Sequence, residues 1–199
     1  MNNHYAIFDY LSISVKLQGV LKNFSEYEIQ LFAYLSCLLS LFKKRNVSEW
    51  EYSFVATGFG APYSSDIGNV NRHFIETGLV DYKEDEYMEL SPIAIDNYES
   101  MLSLYMYRER EFFIDGACSS LLALPIGQIN DAIRGSDEIR NSVELSQNSP
   151  LFTGHGIRTI HEQFILLSDE VGIEINDLMI PAVVWISYLS EISKMKRGY

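Results

Sequence analysis

The sequence predicts a mainly α-helical chain with one two-stranded hairpin near residues 79–90. Three observations carry that expectation. Apolar residues recur every three or four positions over several stretches, as in Ile67, Val70 and Phe74, or Ile157, Ile160, Phe164 and Leu167. Helix start and stop signals bracket those stretches. The period shortens to two only where Leu79-Val80-Asp81-Tyr82 and Glu86-Tyr87-Met88-Glu89-Leu90 flank a polar Lys83-Glu84-Asp85 turn.

The first clear helix opens on Ser25-x-x-Glu28, a capping box directly before an apolar run. It extends to about Phe42 and closes on Lys43, Lys44 and Arg45, cations that suit a helix C-terminus. Its apolar residues cover most of the circumference, which places it centrally in its domain. Ser48 is read as a second N-cap, for a short helix ending at Gly58, and Gly58-Phe59-Gly60-Ala61-Pro62 is read as a turn. A third helix opens at Ser64 or Ser65 and stops at Gly78. After the hairpin, Ser91-Pro92 restarts a helix, with Ser as cap and Pro in the first turn.

The second half also reads as helical. Tyr107 to Leu124 reads as a helix, either separate from the one before it or continuous with it, and Pro125 starts a short one carrying Ile126, Ile129 and Ile133. Ser136 caps another through Ile139 and Val143, and Gln147 to Gly156 is the best loop. An amphipathic helix then runs from Ile157 to Gly172. The last holds Val183, Val184, Ile186 and Leu189, with Pro181 in its first turn or kinking it. The expected division is residues 1–105, including an N-terminal extension, and a helical domain over 106–199.

Composition narrows the function. The 199 residues include 47% hydrophobic and 13% aromatic residues, enough for a real core and for an aromatic interface. The net charge of −12 repels phosphate backbones and anionic membranes unless a basic patch overrides it. Cys37 and Cys118 sit in apolar runs and read as buried thiols of a reducing compartment, so the expected location is cytoplasmic. The start lacks the cationic segment of a signal peptide. The longest uncharged runs, Ile29–Phe42 and Leu178–Ser190, fall short of the ~20 residues a membrane span needs.

No constellation points to catalysis, a metal or a cofactor. Gly58-Phe59-Gly60 lacks the later glycine of a dinucleotide motif and the Gly-Lys-Ser/Thr of a phosphate loop. His155 and His161 are six apart, which is not a one-face helical spacing. No Ser, Cys or Thr lies in a recognised nucleophile setting. The basic clusters Lys43-Lys44-Arg45 and Lys194-Met195-Lys196-Arg197 fall at helix C-termini, where the dipole already favours cations.

The order helix, helix, turn, helix, hairpin, helix over residues 25–105 resembles the winged-helix regulators. Phe74-Ile75-Glu76-Thr77-Gly78-Leu79-Val80 resembles the end of their third helix, and Met88-Glu89-Leu90-Ser91-Pro92-Ile93-Ala94 the exit from their wing. In a DNA reader of this kind, Asn69, Arg72, His73 and the wing's Lys83 would contact the duplex. Charge argues against it: residues 25–105 hold five Lys and Arg against thirteen Asp and Glu, a net of −8. Autonomous DNA binding is therefore not expected.

An acidic winged helix fused to a helical half suggests a protein-interaction module. Phe32-Ala33-Tyr34-Leu35-Ser36-Cys37-Leu38 and the segment from Val47-Ser48-Glu49-Trp50 through Gly58-Phe59-Gly60-Ala61-Pro62 resemble the middle components of bacterial ABC-three-component and Lamassu-type anti-phage defence systems. The resemblance implies a non-catalytic accessory subunit that binds a large SMC-like or ABC-type ATPase and scaffolds or restrains an effector. Tyr105, Tyr107, Phe112 and Phe113 are the candidate interface residues, because four aromatics so spaced on one helix cannot all face one core. The alternative is a dimeric winged-helix transcriptional regulator.

Overall fold

The computed structural model describes residues 3–21, 23–83, 87–171 and 177–197. The wing tip at 84–86, Gly172, and the side chains of His155, Lys194, Lys196 and Arg197 lie outside the described residues. The chain is mainly helical. In order it forms α1 (His4–Val20), α2 (Glu26–Phe42), β1 (Val55–Ala56), β2 (Pro62–Tyr63), α3 (Ser65–Glu76), β3 (Val80–Tyr82) and β4 (Met88–Leu90). There follow α4 (Pro92–Leu102), α5 (Tyr105–Ser119), α6 (Ile126–Arg134), α7 (Asp137–Glu144), β5 (Ser149–Pro150), α8 (Gly154–Val171) and α9 (Met179–Arg197).

α2 begins as its sequence dictates. The Ser25 amide donates to Glu28 Oε2 at 2.8 Å, and the Tyr27 amide donates to Ser25 Oγ at 3.3 Å. From Ile29 to Phe42 every residue is buried, as an all-round apolar helix requires. The polar residues inside that run are satisfied locally or across a seam. Ser36 and Ser40 donate to carbonyls three or four residues back, and Gln30 exchanges two bonds with the backbone of Ser64. The last exchange holds the start of α3 against α2.

α1 is the element that periodicity did not reveal. Its inner residues Phe8 to Ser14 are all buried, against α2, α3, α4 and α5. Polar groups interrupt the apolar pattern because they pair across the seam with α5. Ser12 Oγ donates to Glu111 Oε2 at 2.6 Å, and Lys16 Nζ lies 2.6 Å from both Glu111 and Asp115. Tyr10 donates to Asn71 at 2.7 Å, and Asn71 donates to Glu26 at 2.7 Å, so one chain of bonds links α1, α3 and α2.

The helix expected from Ser48 to Gly58 is not formed. A single 3-10 turn, Val47–Trp50, is capped by Asn46 and stopped by Glu51 in the left-handed region at φ 69°. Beyond it burial alternates, with Trp50, Tyr52, Phe54 and Ala56 inside. That period of two is a strand signal, and β1 pairs with β2 and with β5 to make a small antiparallel sheet in the order β2-β1-β5. The Gly58-Phe59-Gly60 turn stands as expected between β1 and β2, with Gly60 at φ 84°. β5 lies within the segment read as loop, so part of that loop is a sheet edge.

The hairpin is β3 with β4, registered Val80 to Leu90 and Tyr82 to Met88. Ser91 caps α4 through the Ala94 amide, with Pro92 in its first turn. α4 and α5 are separate helices, broken at Ser103-Leu104. Pro181 sits in the first turn of α9. The expected 105/106 boundary falls in the first turn of α5, whose body packs on α1 and α2. Residues from both expected halves belong to one apolar cluster. Among the described residues no single helix is long and apolar enough to cross a membrane.

Candidate functional site

A concavity lies between α7, α8, α9 and the 145–154 segment. Its volume is about 830 Å³, within the usual span of small-molecule clefts. Tyr34, Ile160, Trp185, Tyr188 and Leu189 give it aromatic and aliphatic walls. α9 supplies three of these because 185, 188 and 189 fall within one turn of one face. Polar groups converge from α7 and the following loop: Glu138, Asn141, Ser142, Asn148 and Ser149. Ser142 and Ser149 hydroxyls share a 2.5 Å bond, Asn148 accepts from the Gly58 amide at 3.1 Å, and Gln163 accepts from Trp185 Nε1 at 3.0 Å.

Glu138 stands apart in this group. Its Oε2 is buried and has no hydrogen-bond partner. Burial raises its pKa from the ordinary 4.5. For a carboxyl with a folded pKa above the unfolded one, the favourable contribution is present below about 4.5 and is lost as pH rises through the folded value. Glu138→Gln should therefore be at least as stable as the parent at neutral pH, with the difference shrinking in acid. Urea melts at two pH values check this; a variant clearly less stable at neutral pH would contradict it.

The expected interface residues separate into two environments. Tyr107 is buried, stacked on Phe8 with ring centroids 4.4 Å apart, and Phe113 is buried edge-on to Trp50 at 6.2 Å. Both are therefore core residues and unavailable to a partner. Tyr105 is 86% exposed, flanked by Leu104 at 50% and Met106 at 47%. Phe112 is half-buried, with the Lys43 ammonium 5.6 Å from its ring centre. A second apolar face runs along α9, where Ile180, Val184, Tyr188 and Met195 are all exposed and fall within one arc of the helix.

On α3 the side chains of Asn69, Arg72 and His73 are exposed together, while Ile67, Val70 and Phe74 face the core. Lys83 is held by Glu89 across the hairpin at 2.8 Å. Asp66 and Glu76 share α3 with the three exposed polar residues, so this face is mixed in charge.

Sequence reading missed a buried cluster around Arg110. Its Nε and Nη2 donate to the two carboxylate oxygens of Asp9, each at 2.7 Å, and Nη2 also donates to the Trp50 carbonyl at 3.0 Å. Tyr52 donates to Asp9 at 2.5 Å. The guanidinium lies 3.9 Å from the Trp50 ring centre and 4.8 Å from that of Tyr5. Burial opposes charge on Arg110, but Asp9 overrides it and raises its pKa. The Asp9 carboxylate, the Tyr52 hydroxyl and the Trp50 carbonyl are all partnered, while Trp50 Nε1 is buried without a partner, and the ion pair acts as a structural lock between α1 and α5. The signal was one Asp and one Arg on opposite-lying helices, 101 positions apart, with no local pattern to join them.

Cys37 and Cys118 are free, buried thiols, and burial pushes both pKa values up, which makes them poor nucleophiles. Among the described residues no three His, Cys, Asp or Glu side chains gather as a metal site. Compared with protein-family models, curated proteins and solved structures, the chain matches none.

Proposed function

We propose that this chain is a non-catalytic accessory subunit of a bacterial anti-phage defence complex, binding a large SMC-like or ABC-type ATPase and an effector in the cytoplasm. The observation that carries the reading is the run Leu104-Tyr105-Met106, three consecutive large apolar side chains left in water at the start of α5. Such a cluster is unfavourable on a lone protein and typical of an interface. The exposed face of α9 is a second surface. Its start meets α5 at Gly116, about 16 Å along α5 from Tyr105 at 1.5 Å per residue. Two surfaces suit a subunit with two partners. The buried thiols suit a reducing compartment.

Within this reading α3, the β3–β4 hairpin and α4 form a winged-helix-like module whose middle helix is reduced to the 3-10 turn at Val47–Trp50. The exposed Asn69, Arg72 and His73 favour one alternative, a dimeric winged-helix regulator that binds DNA. The neighbouring carboxylates and the −8 charge of residues 25–105 oppose it.

Affinity purification of the tagged chain from its native host tests the proposal. The expected result is a large ATPase, identified by its sequence, in fixed ratio. Tyr105→Ala combined with Met106→Glu should weaken that recovery by about tenfold or more without changing the melting temperature. A clean monomer or homodimer would overturn the reading. Submicromolar, sequence-selective DNA binding lost on changing Arg72 and Lys83 to Ala would replace it with the regulator.

A further inference from the structure

We propose that the cleft between α7, α8 and α9 is a binding site for a small organic cation, an ammonium or amidinium group carried on an apolar body. This does not rest on the Leu104-Tyr105-Met106 surface that carries the accessory-subunit reading, although Tyr188 is shared with the exposed face of α9. The size of the cleft and its polar ring admit many ligands; charge selects among them. Among the described residues lining it, the only charged ones are Asp137 and Glu138, and none is basic. An anion entering this space meets two carboxylates, of which only Asp137 is compensated, by Arg140 outside the lining, on a chain of net charge −12.

The two carboxylates are not equivalent. Asp137 accepts from the Arg140 guanidinium at 2.8 Å, so its charge is partly satisfied. Glu138 Oε2 is buried without a partner. An unpartnered buried carboxylate oxygen is costly, and a charged donor placed beside it recovers a charge-assisted bond. Tyr188, about half exposed, offers aromatic surface in the same cleft, which attracts cations and covers the apolar body of such a ligand, while Trp185 and Tyr34 line it as buried side chains. The Ser142–Ser149 pair and Asn141 add hydrogen-bonding groups that distinguish a primary ammonium from a bare apolar guest.

Isothermal titration calorimetry on the full chain tests this with three probes of one shape: phenethylamine, phenethyl alcohol and phenylacetate, with benzamidine as a second cation. The expected order is saturable binding of both cations, about tenfold weaker binding of the alcohol, and none of phenylacetate. In Glu138→Gln the amine should lose its advantage over the alcohol, while the alcohol's own affinity stays the same. Tyr188→Leu should weaken amine and alcohol, the amine more. Absence of saturable binding by either cation would overturn the proposal. So would equal binding of amine and alcohol to the parent chain, a comparison that needs no variant to fold. Retention of the amine preference in Glu138→Gln would overturn Glu138's role and the site with it.

Discussion

Arg110→Ala should cost about 3–5 kcal/mol of folding stability, the usual penalty for breaking one side of a buried ion pair. Most domains are stable by only about 5–15 kcal/mol, so the variant should be marginal or unfolded at ambient temperature. The cause is Asp9, which is fully buried in the middle of α1. Without Arg110 it keeps the bond from Tyr52 but loses two charge-assisted bonds. The Trp50 carbonyl loses its donor as well, and the ring of Trp50 loses the cation packed against it. The remedy separates charge from volume. Combining Asp9→Leu with Arg110→Met removes both charges while keeping most of the volume, and should recover a large part of the loss. Urea denaturation followed by circular dichroism measures both. If Arg110→Ala loses less than about 1 kcal/mol, the pair does not lock α1 to α5 as described.

Gly116→Ala should also destabilise, against the trend of helix propensity. In an open helix, replacing Gly by Ala gains up to about 1 kcal/mol. At Gly116 an added Cβ would lie 2.3 Å from the Leu178 Cβ and 3.2 Å from two of its backbone atoms. Leu178 is buried just before α9, so relief requires the start of α9 to move. Overpacking of this sort costs about 1–3 kcal/mol and outweighs the propensity gain. Gly127 is the internal comparison. It lies in the first turn of α6, exposed, with nothing within 4 Å of an added Cβ, so Gly127→Ala should be neutral or stabilising. The urea midpoint of Gly116→Ala should fall while that of Gly127→Ala stays level or rises, and equal stability of the two would contradict the close α5–α9 approach.

Much of the helical plan was legible because its signals are local. The capping box at Ser25 and Glu28, the Ser91-Pro92 start, and the period of Ile67, Val70 and Phe74 each act within one or two helical turns. The hairpin was legible for the same reason, since alternation and a polar turn sit in one short stretch. The segment after Val47 was misread. Ser48 looks like a cap, but Asn46 caps the turn, and the alternation of Trp50, Tyr52, Phe54 and Ala56 outweighs any helical preference.

The candidate site was less legible. Four aromatics on one helix implied that some must leave the core, and Tyr105 does. Which of the four would be exposed depended on α1 and on the Val47–Trp50 turn, which cover Tyr107 and Phe113. By itself, then, the sequence determined the helical class, the caps at Ser25 and Ser91, the hairpin and the acidic composition, because each depends on composition or on residues close in the chain, whereas Ser136 precedes α7 without a side-chain capping bond. Tertiary structure alone decided the burial of α1, the joining of Asp9 to Arg110, the pairing of β1 with β5 and the cleft around Glu138. Each of these arises from residues tens of positions apart or more, whose meeting follows from how the helices pack against one another and leaves no periodic trace in any one segment.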